Sequence, residues 1–254
     1  MPESAPISYR PRALVTGASH RIGRAIAIEL AARGCDVMLT YHTRREEAMK
    51  TAERIESLGG SAEVRRLDLD DLSAATQLGM RLAEADRPLD VLVHNASLYL
   101  QAPLEDAASA ERLMRVNALG PCVLTGAAAP ALVRSKLPGG SAVVAMGDMH
   151  ALGRPRQGLT AYGMSKAALH DMVRSLARML APHVRVNAVA PGVIAWPESG
   201  PEAEGAFQER YLARVPLQRA GTIEEAAGAV RWLALEATYV TGQVLTLDGG
   251  RWLA

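Results

Sequence analysis

The apolar positions of this chain follow two alternating patterns. Short unbroken apolar or β-branched runs are separated by longer stretches whose apolar residues recur every three or four positions. The runs Ala13–Thr16, Val37–Tyr41, Ala62–Leu67, Leu89–His94, Ala142–Met146, Val184–Ala190 and Val244–Leu247 predict seven strands. Helical spacing predicts one helix over Arg21–Arg33, two over roughly Ala107–Arg134, and one that carries Tyr162 and Lys166 to about Leu180, before Pro182. Thr43-Arg44-Arg45-Glu46 reads as a capping box opening a helix that ends near Gly59-Gly60. Thr222-Ile223-Glu224-Glu225 reads as a second capping box, at the start of the last long helix. Alternation of this kind predicts an α/β fold, a Rossmann-type doubly wound sheet of seven mainly parallel strands flanked by helices. The rhythm fails over 196–216, which reads as a substrate lid with a short helix near Phe207–Ala213.

Composition narrows the picture. A chain of 254 residues, 49% hydrophobic and 22% charged, holds one sizeable core and little room for a second domain, so 1–254 reads as one domain with a flexible tail at 1–11. A net charge of +1 argues against nucleic acid or a membrane surface as partner. Met1–Arg12 has no long apolar run, so neither a signal peptide nor a membrane span is expected there. Cys35 and Cys122 form neither a disulfide framework nor a metal-ligand spacing. The expectation is a cytoplasmic protein without a metal.

Two segments carry candidate chemistry. The first is Thr16-Gly17-Ala18-Ser19-His20-Arg21-Ile22-Gly23, between the first strand and the first helix. Gly17 permits a tight turn, Gly23 permits close packing or close phosphate approach, and helix N-terminal amides suit a pyrophosphate. An NAD site wants a carboxylate at the end of the second strand for the ribose 2′-hydroxyl. That end reads Tyr41-His42-Thr43-Arg44-Arg45, with no acid. Together with Arg21 in the glycine loop, these cations suit a 2′-phosphate, so NADPH is the expected cofactor. Asp68-Leu69, after the third strand, meets the adenine or forms a turn. The second segment is Tyr162-Gly163-Met164-Ser165-Lys166. Residues i and i+4 share a helix face, and a lysine cation stabilises a phenolate and lowers the tyrosine pKa, which yields a usable general acid.

Taken together, the segments resemble the short-chain dehydrogenase/reductase family over nearly the whole chain. The matching pieces are the glycine loop, Asp68-Leu69, Asn95-Ala96-Ser97, Asn117, Tyr162-x-x-x-Lys166, Pro191-Gly192 and Asp248-Gly249-Gly250. The resemblance implies a homotetramer, Tyr162 as acid, and Lys166 as ribose ligand and pKa modulator. It implies Asn117 as holder of a water in a proton relay. Ser19, His20, Ile22, Asn95 and Ala96 would shape the cofactor pocket, and Pro191, Gly192, Val193 and Ile194 would border the nicotinamide. Three departures resemble the pteridine reductase/dihydromonapterin reductase-like branch. Arg21 replaces the second loop glycine, Asn95-Ala96-Ser97 replaces Asn-Ala-Gly and is followed by Tyr99, and the usual serine after the fifth strand is replaced within Ala145-Met146-Gly147-Asp148. The segment is one residue longer than is usual, so two registers are open. Asp148 takes the serine's position if the extra residue lies in the loop from Arg154 to Gly158, and Met149 takes it otherwise.

An aspartate there makes chemical sense for one substrate class. A serine hydroxyl donates to the developing oxyanion of a ketone, whereas a carboxylate repels it. A C=N bond protonated at nitrogen is a cation that a carboxylate stabilises. Tyr99 would wall a flat heterocycle, Ser97 would bond cofactor phosphate or substrate edge, and Trp196 would close the pocket or anchor its loop. His150 and Met149 are weaker candidates. The expected activity is NADPH-dependent hydride transfer to the C=N bond of a dihydropterin-like substrate. The alternatives are an NADPH-dependent carbonyl reductase acting on 3-oxoacyl thioesters or small ketones, and a non-catalytic NADPH-sensing protein.

Overall fold

The structure, a computed structural model, describes residues 9–196 and 201–253. Residues 1–8 of the expected tail and 197–200 of the expected lid lie outside the described residues. The seven strands are β1 (Arg12–Val15), β2 (Asp36–Tyr41), β3 (Ala62–Arg66), β4 (Val91–His94), β5 (Ser141–Met146), β6 (Val184–Pro191) and β7 (Val244–Leu247). They form one sheet in the order β3-β2-β1-β4-β5-β6-β7, and every pair is parallel. The helices are α1 (Arg21–Ala32), α2 (Arg45–Ser57), α3 (Leu72–Glu84), α4 (Ala107–Met114), α5 (Gly120–Val133), α6 (Thr160–Leu180), α7 (Gly205–Leu212) and α8 (Ile223–Leu235).

Strand periodicity divides the core into two layers. Val15, Val93 and Val144 face a layer with Ile26 and Leu30 of α1, Ile55 of α2 and Val230 of α8. Their neighbours Leu14, Leu92 and Val143 face the opposite layer, with Leu78 of α3, Leu124 of α5 and Val173 of α6. Central strands are therefore covered on both faces: β4 and β5 are buried throughout, the polar His94 and Ser141 at their ends included. The edge strand β7 is not. The sheet order reverses between β1 and β4, and their carboxyl ends open the crevice where ligands bind in this architecture. Ala107–Val133 is apolar enough by length and composition to cross a bilayer, yet half of its most apolar window is buried inside the molecule.

Three local features differ from expectation. Helix α3 fills a stretch for which the sequence predicts no element; Asp71 caps it, accepting from the Ala74 amide at 3.0 Å. Between α4 and α5 the backbone widens into a π turn over Arg115–Leu119, which carries Asn117. The Thr43 capping box does not form: the N-cap of α2 is Arg44, with no side-chain cap. At Thr222 both halves of the box form, with the Thr222 hydroxyl accepting from Glu225 N at 3.1 Å and Glu225 accepting from Thr222 N at 2.8 Å.

Candidate active site

The loop after β1 is fitted to the loop after β4. Gly17 has φ +63°, and a Cβ there would lie 2.9 Å from Ala96 Cα. A Cβ on Gly23 would lie 2.3 Å from both Asn95 Nδ2 and Gly17 O. Asn95 Nδ2 donates to Thr16 O and Gly17 O at 3.0 Å, and Thr16 Oγ1 accepts from the Asn95 and Ala96 amides at 3.0 and 3.1 Å. Gly23 thus serves helix–loop packing, and Asn95 shapes the pocket by locking the two loops together.

Arg21 takes the left-handed conformation of the glycine it replaces, with φ 50°. Its Nη2 donates to Ala195 O at 2.7 Å and to Trp196 O at 3.1 Å. One nitrogen of its guanidinium is thus tied to the base of the lid, while Arg21 also lines the cleft. The end of β2 also borders the cleft. His42, Thr43 and Arg44 line the same cleft, with His42 paired to Asp68 at 3.2 Å and the half-exposed Arg44 to Glu47 at 3.7 Å. Thr43 thus faces the cleft rather than capping α2.

The cleft holds about 520 Å³. It runs from Gly17, Ser19, His20, Arg21, Ile22 and Gly23, past His42–Arg44 and Asn95–Ser97, to Asp148, Tyr162, Lys166, Pro191 and Gly192. Asp68 and Leu69 border an adjoining pocket of about 140 Å³, together with Arg112 and Val116. Val193, Ile194 and Trp196 line a separate chamber of about 160 Å³, which also touches Asp148. A crevice of this length fits a nicotinamide dinucleotide, with a glycine cradle that excludes a Cβ and no acid at the end of β2.

At the far end of the cleft, α6 presents Tyr162 and Lys166 on one face, and both side chains are buried. The Tyr162 hydroxyl donates to Asp148 Oδ2 at 2.9 Å. Asp148 also caps the following 3₁₀ turn, its Oδ1 accepting from His150 N at 2.8 Å, and its own amide donates to His170 Nε2 at 3.3 Å. Met149 is fully buried in the core. The structure therefore resolves the open register: Asp148, not Met149, faces the tyrosine.

The electrostatics differ from the expected lysine-activated phenol. Burial first, then the charge and hydrogen bond of Asp148, hold the Tyr162 phenol well above its ordinary value. Lys166 Nζ donates to Met146 O at 2.8 Å and lies 5.9 Å from the Tyr162 ring centre, and burial brings its ammonium down to about 8 against the opposing pull of Asp148. Desolvation and a neighbouring carboxylate dominate the surroundings of the phenol in this arrangement.

Asn117 is a brace. Its Oδ1 accepts from Leu98 N at 2.8 Å and from Ser97 Oγ at 3.1 Å, while Nδ2 donates to Leu98 O at 2.9 Å and Ser165 Oγ at 3.0 Å. The side chain joins the loop after β4 to α6 and sets the position of Ser97. Tyr99 packs edge-on against Tyr162, with ring centres 4.9 Å apart at 77°. Its hydroxyl donates to Glu202 Oε1 at 2.7 Å and accepts from Arg156 Nη1 at 3.3 Å, and Arg156 is itself paired with Glu202. Trp196 packs edge-on against Phe207 and Tyr211, at 6.2 and 5.5 Å, so it anchors an aromatic cluster in the lid. Arg156 and Glu202 escape sequence reasoning because both sit in aperiodic segments; only the excess of charge around the lid could have pointed to them.

Comparison with known proteins agrees with this geometry. Residues 17–251 match the family model described as enoyl-(acyl carrier protein) reductase. The chain is 35% identical to the L-rhamnose 1-dehydrogenase (NAD(P)(+)) of Sphingomonas sp. strain SKA58, covering 94% of this chain and 95% of that one. It is 34% identical to the acetoin dehydrogenase of Enterobacter cloacae, whose crystal structure superposes with a TM-score of 0.84 over 97% of both chains. A short chain dehydrogenase of Burkholderia cenocepacia J2315, solved in complex with NADP, gives a TM-score of 0.84 at 35% identity, over 95% of this chain and 97% of that one.

Proposed function

The chain belongs to the short-chain dehydrogenase/reductase family, and we propose that within it the protein is an NADPH-dependent reductase of a ring C=N bond in a dihydropterin-like substrate. The observation that carries this reading is the hydrogen bond from Tyr162 to Asp148, at the place where the family puts a serine. Gly17–Gly23, Asn95, Ala96 and Lys166 would hold the cofactor, with Thr43 and Arg44 at the 2′-phosphate. When bound, NADPH supplies the hydride.

The chain's own residues manage the proton. Burial and Asp148 keep the Tyr162 phenol protonated, so the pair stores an acid beside an anion. A ring nitrogen entering between them gains on two counts. Its lone pair accepts the Tyr162 proton, and the iminium so formed faces the Asp148 carboxylate as the hydride arrives. One hydride to carbon and one proton to nitrogen convert C=N to CH–NH, and solvent restores the proton to the pair. Lys166 contributes a buried cation that offsets any negative charge left on the phenol oxygen. A developing alkoxide in the same place would meet a carboxylate acceptor instead of a hydroxyl donor.

A second reading is favoured by the names of the relatives. Acetoin dehydrogenase and L-rhamnose 1-dehydrogenase point to alcohol–carbonyl interconversion, and no relative named above is a pteridine reductase. In that reading Tyr162 alone protonates the oxygen. NADPH consumption with a panel of dihydropterins and small ketones decides between them. Turnover with dihydropterins and weak turnover with ketones is expected. The reverse order would install the carbonyl reading, and turnover with neither would leave a cofactor-binding protein. We also propose a homotetramer. Met164 and Met179 on α6 and Trp232 on α8 are exposed apolar side chains that subunit contacts would cover, and light scattering of the purified protein checks it.

A further inference from the structure

Met146-Gly147-Asp148 leaves β5 and carries the carboxylate that faces Tyr162, and α6 holds this turn at three points. Tyr162, Lys166 and His170 are spaced four apart and share one face of the helix. Tyr162 donates to the Asp148 carboxylate at 2.9 Å, Lys166 donates to Met146 O at 2.8 Å, and His170 Nε2 accepts from the Asp148 amide at 3.3 Å. Tyr162 and Lys166 have roles in the proton transfer proposed above, and His170 has none. The His170 ring is 1% exposed and lies directly against the turn: a Cβ on Gly147 would come within 2.2 Å of its Nε2. An amide N–H only donates, so Nε2 is the bare nitrogen and Nδ1 carries the proton. Burial first, then the Lys166 and Arg174 charges, bring the imidazole down to about 4, against the opposing pull of Asp148. The ring is therefore neutral near pH 7 and keeps its acceptor. Nδ1 is buried with no hydrogen-bond partner among the described residues. A buried donor left unpaired works against stability, and an apolar side chain at this position would avoid it. Packing alone therefore does not account for an imidazole here, and the one hydrogen bond of its ring among the described residues goes to Asp148.

We infer that His170 is a positioning residue: by accepting the Asp148 amide it fixes the turn after β5, so that the Asp148 carboxylate meets the Tyr162 hydroxyl. The inference rests on the C=N reading, in which that pair manages the proton, and adds the residue that aligns it. One helix then holds Asp148 from both ends, by its amide at His170 and by its carboxylate at Tyr162. Without the acceptor, the Asp148 N–H is unpaired beside the cleft. The turn shifts to bring it to water and carries the carboxylate away from the phenol.

The test uses 7,8-dihydropterin as substrate, with steady-state and single-turnover kinetics, calorimetric NADPH binding and thermal unfolding. His170→Leu removes the acceptor and keeps an apolar body. His170→Gln can place an amide oxygen near the position of Nε2. His170→Leu should lower kcat by about ten- to a hundredfold, between the scale of one lost hydrogen bond and that of a group misplaced by about 1 Å. KM, NADPH affinity and Tm should stay close to those of the wild type. His170→Gln should recover most of the lost kcat. In an Asp148→Asn background, His170→Leu should change the single-turnover rate by less than about twofold, because it acts through the residue already replaced. Three results overturn the inference and leave the proposed function standing: an undiminished kcat in His170→Leu, an equal loss in His170→Gln, or a loss that falls in step with Tm and NADPH affinity. A full further loss in the Asp148→Asn background overturns it as well. A wild type that does not reduce the dihydropterin defeats both.

Discussion

On the cofactor side of the cleft, Gly17 and Gly23 lie against Ala96 and Asn95 with no room for a Cβ, and the contacts are made by backbone and one amide. On the substrate side, Tyr99, Arg156 and Glu202 come from three separate segments and meet through side chains alone. The first arrangement is rigid because a misfit there means steric overlap. The second is held by polar contacts that a substrate can replace. The cofactor side therefore sets what every substrate has in common, the hydride source. In the reading proposed above, the substrate side, with Asp148 between the two, would set which double bond is reduced.

The largest effect is expected where the two sides meet. Tyr162→Phe should keep the fold and NADPH affinity but lower kcat by about 10²-fold or more, the scale of a positioned general acid. Single-turnover rates and cofactor titration check this; normal turnover would identify another proton donor. A smaller effect confined to the cofactor side is expected from Arg44→Ala. Losing a charge-assisted phosphate contact should weaken NADPH by about tenfold and leave NADH unchanged. Equal affinities of the wild type for the two nucleotides, by calorimetry, would remove that role. The smallest effect concerns two threonines. Thr222→Ala should cost about 1 kcal/mol in a denaturant titration, the value of a formed N-cap. Thr43→Ala should leave stability nearly unaltered and act on cofactor affinity, because Thr43 faces the cleft.

These two threonines show what a sequence reveals. Both begin Thr-x-x-Glu ahead of a helix, and only tertiary placement separates a cap from a cleft residue. The central strands are legible because buried parallel strands are continuous apolar runs with sharp ends, whereas the partly exposed edge strands β3 and β7 are marked by their β-branched residues and their place in the alternation. Helix α3 was missed; its signal, Asp71 followed by Ala75, Leu78 and Leu82 at helical spacing, was present in the chain. Tyr162, Lys166 and the glycine loop were legible because one helix or one turn carries each. The partners of Arg21 and the cluster of Tyr99, Arg156 and Glu202 were not, because they join residues 46 to 175 positions apart. The choice between Asp148 and Met149 needed the geometry of the turn after β5, where one side chain caps and the other is buried.

The central claim is that Asp148 selects a C=N bond over a carbonyl, and kcat/KM for one dihydropterin and one ketone, in wild type, Asp148→Ser and Asp148→Asn, tests it most directly. Both variants should lose dihydropterin activity, since neither side chain neutralises an iminium. Asp148→Ser should also raise ketone activity by restoring a hydroxyl donor beside the oxyanion. Unchanged dihydropterin activity in both variants would contradict the claim and make carbonyl reduction the better account of this site.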